Sequence, residues 1–288
     1  MKILITGDEG FVGRHFHKAL DGKGHTIHGV DIKRGRDCRD LFKQSDIRYD
    51  LVIHLAAVVG GRETIEREPL KVAVDLSIDA ELFQFVARTK PERLVYFSSS
   101  AAYPIEHQTH GNYCDLHENL INLQDMKTPD MTYGFAKLAG EYQASFLEDT
   151  KVLVFRPFSG YGEDQDLTYP FPSFVQRAVR RDNPFEIWGD GTAVRDFIHI
   201  DDIVQAVLTA VNLDYVGTCN LGTGRATNFN KLAYLMCNAV GYSPEYNWIL
   251  DKPVGVKYRV SSTTRMRQFY TPKISLEEGI RRSINAHS

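Results

Sequence analysis

The sequence predicts an α/β protein with a doubly wound parallel sheet and a smaller C-terminal α/β lobe. Two observations predict this fold class. Short apolar runs alternate with longer amphipathic stretches along the first half of the 288-residue chain. The runs are continuously apolar, which is typical of parallel strands buried on both faces. Strands and helices that alternate in this way form right-handed crossovers, with helices on both faces of one sheet.

The main sheet is predicted to contain five of these runs. In chain order they are KILIT (2–6), TIHGV (26–30), DLVIHLA (50–56), RLVYFS (93–98) and KVLVFR (151–156). Helices are predicted between the runs, because apolar residues recur there at helical spacing. One helix starts near Val12, a second covers about Pro69–Arg88, and a third covers about Tyr133–Leu147.

The second half of the chain has a different pattern, with dense Tyr, Phe and Pro residues from Tyr161 to Trp188. A strand is predicted there at 218–222. Helices are predicted at Ile200–Asn212, Asn228–Val240 and Ser275–Ile284. We expect a smaller lobe assembled from segments that leave and re-enter the main sheet.

The composition is that of an ordinary globular protein, with 43% hydrophobic residues, 25% charged residues and a net charge of −3. These values do not indicate a nucleic-acid or membrane surface. The four cysteines are widely separated, so we expect reduced thiols, no disulfide framework and no metal site. No apolar run reaches transmembrane length, and we expect a cytoplasmic protein.

A glycine-rich turn follows the first predicted strand. It reads GDEGFVG and contains Gly7, Gly10 and Gly13. Glycine permits a tight turn and a close approach of backbone to ligand, so a pyrophosphate can bind at the N-terminus of the following helix. Such triplets also occur in ordinary turns. The position of this one, between the first strand and a helix, favours dinucleotide binding.

Asp31 ends the second predicted strand, 18 residues after Gly13. A carboxylate at this point accepts hydrogen bonds from both adenosine ribose hydroxyls and repels a 2′-phosphate, which favours NAD. Three cations follow that are able to bind such a phosphate, so NADP is the alternative. They are Lys33, Arg34 and Arg36.

The segment MTYGFAK places Tyr133 four residues before Lys137, on one face of a helix. A phenol has a pKa near 10, and a neighbouring ammonium stabilises the phenolate and brings that pKa toward neutral pH. Tyr133 can then exchange a proton with a substrate hydroxyl while hydride moves to or from a nicotinamide. The pair is common on helices by chance, but its position after a glycine turn and Asp31 favours catalysis.

A second hydrogen-bond donor is expected at the end of a neighbouring strand, because ligands bind beyond the carboxyl ends of parallel strands. The segment YFSSSAAYP places Ser98, Ser99 and Ser100 at such an end. A serine cluster is also typical of a solvated turn, so position alone does not select the catalytic one.

Jointly, these segments resemble the nucleotide-sugar epimerase/dehydratase family of extended short-chain dehydrogenases/reductases, whose main domain has the Rossmann fold. The matching segments follow the family's order and span nearly the whole chain. They are GDEGFVG, VD at 30–31, DCRD at 37–40, HLAA at 54–57, SSSAAYP, YGFAK, RPFSGYG at 156–162, GDGTAVRDFIHIDD at 189–202, NLGTG at 220–224 and SLEEGI at 275–280.

The resemblance implies two functional parts. Residues 1–162 plus about 196–224 are expected to bind the dinucleotide, and about 163–195 plus 225–288 a nucleotide-diphosphate sugar. The matched cofactor-binding residues are Gly7, Gly10, Phe11, Val12, Gly13, Asp31, Asp37, Cys38, Leu55, Ala56, Ala57, Ser98, Tyr133, Lys137, Pro157 and Phe158. A homodimer is also implied, through the helix from Pro69 and the helix that carries Tyr133.

The resemblance also assigns catalytic residues. In the family, a catalytic serine or threonine lies four positions before the tyrosine that matches Tyr103, which gives Ser99 here. Ser99, Tyr133 and Lys137 are then catalytic. The matched substrate-binding residues are Ser99, Ser100, Ser159, Arg195 and Arg259. Asparagine is usual in the family at two positions that differ here, Asp75 and Ser159.

The positions after Ser99 narrow the implied reaction. Relatives that eliminate water have an Asp-Glu pair there. Relatives that decarboxylate have a glutamate in place of Ala101, and those that invert C3 or C5 have a cysteine. Ser100 and Ala101 provide none of these groups. Hydride transfer at C4 remains, and the leading prediction is an NAD-dependent nucleotide-sugar 4-epimerase.

The main alternative is an NADPH-dependent 4-keto-sugar-nucleotide reductase. The segment HLAAVVGGR (54–62) is similar to that of the branch that contains GDP-fucose synthase, although Glu163 and Asp164 replace that branch's histidine after YG. The third class is a non-catalytic NAD(P)-binding protein, because fold does not determine function. The retained Tyr133 and Lys137 argue against this third class.

Overall fold

The computed structural model describes residues 1–58, 60, 62–109, 111 and 113–287. The strands, in chain order, are β1 (Lys2–Thr6), β2 (Thr26–Val30), β3 (Leu51–His54), β4 (Arg93–Phe97), β5 (Lys151–Pro157), β6 (Ser159–Tyr161), β7 (Phe185–Trp188), β8 (Val194–His199), β9 (Gly217–Leu221), β10 (Ala226–Asn228), β11 (Tyr246–Ile249) and β12 (Tyr258–Arg259). The α-helices are α1 (Phe11–Leu20), α2 (Cys38–Gln44), α3 (Arg62–Arg67), α4 (Pro69–Val72), α5 (Val74–Thr89), α6 (Met131–Ala144), α7 (Pro170–Arg180), α8 (Ile200–Asn212), α9 (Phe229–Ala239) and α10 (Leu276–His287).

The main sheet has six strands in the order β2-β1-β3-β4-β5-β9, and every neighbouring pair is parallel. The five predicted apolar runs and the strand predicted at 218–222 all lie in this sheet. The strand order reverses at β1, because β2 lies on one side of it and β3 on the other. The doubly wound parallel sheet is therefore confirmed. Ligands of such sheets bind at the reversal, beyond the carboxyl ends of the strands.

Helices cover both faces of the main sheet. On one face α1 packs beside α8, and on the other α2, α5 and α6 pack together. Each face has its own apolar core, with Phe16 and Val207 in the first and Phe42 and Phe85 in the second. The central strands are buried on both faces, as their continuous apolar sequences predict.

The C-terminal lobe is built around two small sheets. Strands β10, β8 and β12 form one of them, with β6 also paired to β8, and β11 pairs with β7. Helices α7, α9 and α10 pack together around a third apolar core that includes Phe174, Phe185 and Met236. The predicted boundary at about residue 196 falls inside β8, and α8 and β9 then return the chain to the main sheet.

The helix predicted over Pro69–Arg88 is divided into α4 and α5, which meet at Ala73. Short-range hydrogen bonds cause the break: Ala73 N donates to Leu70 O (3.2 Å), and Leu76 N donates to Ala73 O (3.1 Å). Such three-residue bonds tighten the backbone and interrupt the regular helix. Within the described part of the chain, no helix has the length and apolarity to span a membrane.

Candidate active site

The glycine-rich turn after β1 has no room for side chains. Gly7 has a φ of +73°, and a Cβ there would lie 2.8 Å from the backbone nitrogen of Ala56. A Cβ on Gly13 would lie 2.1 Å from the carbonyl oxygen of Gly7. The glycines therefore let α1 pack directly against the turn, next to the segment that follows β3.

The N-terminus of α1 is suited to an anion. Its N-cap is Gly10, which provides no side-chain hydrogen bond, and its first turn contains no acidic residue. The helix dipole and the first-turn N–H groups favour a pyrophosphate there. Phe11 and Val12 form this turn, and β1 lies between the strands at the order reversal. Leu55, Ala56 and Ala57 follow the neighbouring strand β3. These residues fit the dinucleotide predicted from the sequence.

The carboxylate of Asp31 lies at the end of β2 and is almost completely buried. It accepts hydrogen bonds from the backbone nitrogens of Lys33 (2.8 Å) and Glu9 (2.9 Å), which fix it beside the glycine turn. Lys33 also donates to the carbonyl oxygen of Glu9 (3.1 Å), and Arg34 pairs with Asp8 and Glu9. Two of the predicted phosphate-binding cations are thus held by the glycine turn, and Asp31 is the group placed for a ribose.

The two residues predicted beside the adenine lie at the start of α2. Asp37 is the N-cap, accepts a hydrogen bond from Arg39 N (2.9 Å) and pairs with the Arg39 side chain, which lowers the pKa of the Asp37 carboxyl. Cys38 is buried, and desolvation raises the pKa of its thiol to about 12. Cys38 is therefore a neutral thiol that packs in the core.

The three serines at the end of β4 have different partners. The Ser98 hydroxyl donates to Glu141 in the core. Ser99 is the N-cap of a short 3₁₀ helix over residues 100–102, and its hydroxyl accepts from Ala101 N (3.1 Å). Ser99 and Ser100 line a cavity, whereas Ser98 is not among its described lining residues.

Tyr133 and Lys137 lie one turn apart on α6, which packs against the 3₁₀ helix after Ser99. The ammonium of Lys137 is buried, 6.0 Å from the centre of the Tyr133 ring and 5.4 Å from that of Tyr96. Burial and then the Asp75 carboxylate raise the pKa of Tyr133 to about 12, against the opposing hydrogen bond with Ser99. The direction of this shift is opposite to the lowering predicted from the sequence.

The cavity has a volume of about 480 Å³, which is typical of small-molecule sites. Residues of the main sheet and of the C-terminal lobe line it together. Among them are predicted site residues from both parts: Ser99, Ser100, Tyr133, Pro157, Phe158, Ser159, Arg195 and Arg259. The fold thus brings these eight predicted residues to one cavity, whereas Lys137, the third predicted catalytic residue, is not among its described lining residues.

The two predicted substrate arginines already have protein partners. Arg259 on β12 pairs with Asp130 (2.7 Å) and donates to Gln108 (2.5 Å). Arg195 on β8 donates at 2.8–2.9 Å to the carbonyl oxygens of Val194, Val254 and Val256. These contacts fix the position of both guanidinium groups at the wall of the cavity.

Comparison with known proteins agrees with this geometry. A sequence model of the NAD dependent epimerase/dehydratase family matches residues 3–222. The chain belongs to this family. It is 27% identical to the putative UDP-glucose 4-epimerase of Methanocaldococcus jannaschii, across 98% of this chain and 97% of that protein. It is 25% identical to GDP-L-fucose synthase 1 of Arabidopsis thaliana, across 97% of this chain and 90% of that protein.

Solved structures have the same fold as this family member. The UDP-glucose 4-epimerase of Thermus thermophilus, in complex with NAD, has a TM-score of 0.83 at 21% identity, over 99% of this chain and 98% of that one. RMD of Pseudomonas aeruginosa, complexed with NADPH, has a TM-score of 0.82 at 22% identity, over the same shares. The prediction of NAD, with NADP as the alternative, agrees with both. Val59 and Gly61 of the segment HLAAVVGGR lie outside the described residues.

Three further residues that line the cavity were not predicted from the sequence motifs: Asp130, Arg177 and Trp188. Asp130 precedes α6, and its backbone nitrogen donates to Ala101 O (2.9 Å) beside the serine cluster. Its position three residues before Tyr133 is the one sequence signal that points to it. Arg177 on α7 and Trp188 at the end of β7 come from the lobe, where no spacing marks them.

Proposed function

We propose that the chain is an NAD-dependent nucleotide-sugar 4-epimerase, which oxidises C4 of a nucleotide-diphosphate sugar and returns the hydride to the opposite face. One observation carries the proposal. Ser99 and Tyr133 face the cavity with Lys137 close to the tyrosine ring, and positions 100 and 101 provide no acid, base or thiol. Such a site has groups for moving one proton and one hydride at a single carbon.

Tyr133 carries the proton, and Ser99 holds the reacting oxygen. Tyr133 removes the proton of the C4 hydroxyl in the oxidising half of the reaction and returns it in the reducing half. The Ser99 oxygen is fixed by Ala101 N (3.1 Å), which leaves its own O–H to be donated to the sugar oxygen. Bound NAD supplies the hydride acceptor. Lys137 acts through its charge and as a donor to the nicotinamide ribose.

The cavity suits a nucleotide-diphosphate sugar. Arg177, Arg195 and Arg259 supply cations for a diphosphate, since guanidinium groups bind phosphate oxygens in pairs. Ser100 and Ser159 are the polar residues proposed for the sugar. In this proposal residues 1–162 and about 196–224 bind the dinucleotide, and residues about 163–195 and 225–288 bind the nucleotide sugar.

The test uses the purified protein, three C4 epimerisation substrates and no added cofactor. We expect one of UDP-glucose, UDP-N-acetylglucosamine or UDP-glucuronic acid to convert to its C4 epimer, followed by the anomeric ¹H NMR signal. Mass spectrometry of the copurifying small molecules should identify NAD. Retention of NAD without conversion of any sugar nucleotide, with or without added NADPH, would support a non-catalytic role instead.

A 4-keto-sugar-nucleotide reductase that uses NADPH is the second candidate. The observation that favours it is the similarity to GDP-L-fucose synthase 1 of Arabidopsis thaliana, at 25% identity across 97% of this chain. We expect oxidation of NADPH at 340 nm when a 4-keto-6-deoxy sugar nucleotide is added. Tighter binding of NAD than of NADP in titrations would count against this candidate.

We further propose a homodimer formed through α4, α5 and α6. Large apolar side chains are exposed on these helices or just after them: Leu70, Val74, Phe135, Tyr142 and Phe146. Large exposed apolar side chains that come from helices packed together favour a protein interface. Sedimentation velocity should show a dimer for the wild-type chain and a monomer for Phe146→Glu. The control is Leu213→Glu, an exposed apolar residue after α8, which should remain dimeric.

A further inference from the structure

The wall of the cavity contains an acidic residue whose position requires an explanation. Among the described lining residues Asp130 is the only acid, whereas three arginines line the same cavity: Arg177, Arg195 and Arg259. Asp130 is almost completely buried. A buried carboxylate in a wall proposed for a diphosphate repels that ligand and is costly to desolvate, unless it acts on a neighbouring cation.

The side chain of Asp130 is directed at an arginine and not at its own helix. Asp130 is the N-cap residue of α6, a position where an aspartate commonly accepts a hydrogen bond from the first turn. The Asp130 side chain makes no such capping bond. Its Oδ2 instead accepts a hydrogen bond of 2.7 Å from Nη2 of Arg259, on strand β12 of the C-terminal lobe. The carboxylate therefore joins the start of α6 to the lobe.

Two side chains fix the plane of the Arg259 guanidinium. Asp130 accepts from Nη2, and Gln108 Oε1 accepts from Nε at 2.5 Å. Gln108 is completely buried, and its amide nitrogen donates to the carbonyl oxygens of Tyr103 (3.2 Å) and Pro104 (3.1 Å). Because a guanidinium group is planar, bonds from two of its nitrogens determine the direction of all of its N–H groups.

The backbone of Asp130 connects this arginine to the proposed catalytic residues. Its N–H donates to Ala101 O (2.9 Å), and its carbonyl oxygen accepts from Gly134 N (3.0 Å) in the first turn of α6. The backbone nitrogen of the same Ala101 donates to the Ser99 hydroxyl (3.1 Å). A Cβ on Gly134 would lie 2.2 Å from Ala101 O, so the helical turn that carries Tyr133 packs directly on Ala101.

We propose that Asp130 is a positioning residue for substrate binding, which orients Arg259 for the diphosphate of the nucleotide sugar and links that arginine to the helix of Tyr133. The inference rests on the proposed function and adds a residue to its substrate site. Arginine binds phosphate oxygens in pairs, which requires a guanidinium of defined orientation. The ion pair with Arg259 (2.7 Å) offsets the repulsion between the Asp130 carboxylate and the diphosphate.

Binding of a nucleoside diphosphate to the purified protein tests the proposal without turnover. UDP and GDP are titrated by calorimetry, and the one that binds the wild-type chain more tightly is used for the variants. Asp130→Asn removes the charge and keeps the size of the side chain. We expect Kd to rise by about tenfold, the lower end of the effect known for partners that orient the ligands of metals. An unchanged or lower Kd would overturn the proposal, since removal of an acid that only repels the diphosphate tightens binding.

A second background shows whether Asp130 acts through Arg259. Arg259→Lys keeps a cation for Asp130, but an ammonium has no plane to be oriented. In this background Asp130→Asn should weaken nucleotide binding by less than about twofold, the scatter of substitutions that are not coupled. Equal weakening in both backgrounds would overturn the proposal and would assign Asp130 a structural role at the start of α6.

The matched control is Glu277→Gln, which removes the acid from another arginine–carboxylate pair of the lobe. Glu277 binds Arg225 through two hydrogen bonds of 2.6 and 2.7 Å, and neither residue is among the described lining residues of the cavity. This variant should leave the Kd of the nucleotide unchanged. Weaker binding in it would show that the loss of any such pair disturbs the lobe, and the role of Asp130 as a positioning residue would be overturned.

Steady-state kinetics separate this inference from the proposed function. In Asp130→Asn the KM for the sugar nucleotide should rise by more than kcat falls, because a diphosphate contact contributes to the binding of substrate and transition state alike. A fall in kcat at unchanged KM would overturn the inference and leave the proposed function intact. If the wild-type chain binds neither UDP nor GDP, the proposed function is contradicted, and with it the ligand assigned to Arg259.

Discussion

Two sets of buried carboxylates lie near Lys137, and they differ in how fully they are paired. Glu141, one turn after Lys137 on α6, binds Arg156 through two hydrogen bonds of 2.6 and 2.9 Å and also accepts from Ser98. Asp75 has a single backbone donor and an Oδ2 without a donor among the described residues. Both are almost inaccessible to water, so burial does not cause the difference.

The difference separates a carboxylate whose hydrogen bonds join two elements of the fold from one that has a single backbone donor. Arg156 joins β5 to α6 through Glu141, and it also donates to Tyr103 Oη (3.1 Å) and Glu118 O (3.0 Å). This network fixes the end of β4, where Ser98 and Ser99 lie. For Asp75, desolvation raises the pKa of the carboxyl to about 6, because its one backbone hydrogen bond offsets little of the cost of burying the charge.

The largest effect should come from breaking the buried ion pair of Glu141 and Arg156. Arg156→Met leaves Glu141 buried without its cation, and we expect the free energy of unfolding to fall by about 3–5 kcal/mol. Urea unfolding measures this change. Arg281→Met is the control, because Arg281 is 62% exposed and its ion pair with Glu278 should contribute less than about 1 kcal/mol.

Removing both charges of the Glu141–Arg156 pair shows whether the unpaired carboxylate causes the loss of stability. A double variant, Glu141→Leu with Arg156→Met, removes both charges and should recover part of the loss, because an apolar pair avoids an unpaired buried charge. If the single and double variants are equally destabilised, the loss of Arg156 acts through Tyr103 and Glu118 rather than through Glu141.

The next largest effect should be a loss of turnover in a variant whose stability is nearly unchanged. Tyr133→Phe removes the proton carrier, and we expect turnover of the sugar nucleotide to fall by about 10²–10⁴-fold. The free energy of unfolding should change by no more than about 1 kcal/mol, because one neutral hydrogen bond is lost. Tyr234→Phe on α9 is the control, since that side chain is exposed and should keep full activity. A loss of less than tenfold for Tyr133→Phe would argue against its role.

The fold and the positions of the proposed catalytic residues can be predicted from the sequence. A continuously apolar run such as KILIT is sufficient to predict a strand of the buried sheet, because a strand that is covered on both faces needs apolar side chains on both, and Ile3, Leu4 and Ile5 are fully buried. Gly7 is predictable for a different local reason, because the turn at the end of β1 needs a positive φ, which glycine adopts readily. The choice of Ser99 among the three serines follows from the family resemblance, through its spacing to Tyr103.

The electrostatics of the site do not follow from local sequence. Asp75 precedes Lys137 by 62 positions, and Asp130 precedes its partner Arg259 by 129. Only tertiary packing brings such groups together, and burial then determines the direction of each pKa shift. The four-residue spacing of Tyr133 and Lys137 therefore predicts the pair correctly but predicts a lowered tyrosine pKa, whereas burial and Asp75 raise it.

A smaller effect should come from crowding the contact between Tyr96 and the buried carboxylate of Asp79 without removing any charge. A Cβ on Gly140 would lie 1.8 Å from Tyr96 Oη and 2.7 Å from Asp79 Oδ2. Gly140→Ala should therefore lower the free energy of unfolding by about 1–3 kcal/mol through overpacking, less the roughly 1 kcal/mol that alanine contributes to a helix. Ala139→Gly, at the neighbouring position, calibrates that helix contribution. A net stabilisation by Gly140→Ala would show that Tyr96 and Asp79 move apart easily.

The smallest effect should come from an exposed acid–base cluster, which provides the solvent-screened reference for the two buried sets. His15 on α1 lies 2.9 Å from Asp164 and 3.7 Å from Asp201, and both acids are about half exposed. Hydrogen bonding to Asp201 and Asp164 raises the pKa of His15 despite partial burial. A raised pKa means that the stabilisation is complete below the unfolded value of 6.5 and is lost as pH rises through the folded value.

A double-mutant cycle of His15→Gln and Asp164→Asn measures this stabilisation. At pH 5.5 the coupling in the free energy of unfolding should be favourable but below about 1 kcal/mol, because water screens both partners. At pH 9 it should disappear, since the imidazole is then neutral. A coupling that is equal at both pH values would indicate a neutral hydrogen bond. A coupling of about 3 kcal/mol or more would make this exposed pair as strong as the buried pair of Glu141 and Arg156. Solvent exposure would then not explain why ion pairs of this protein differ in strength.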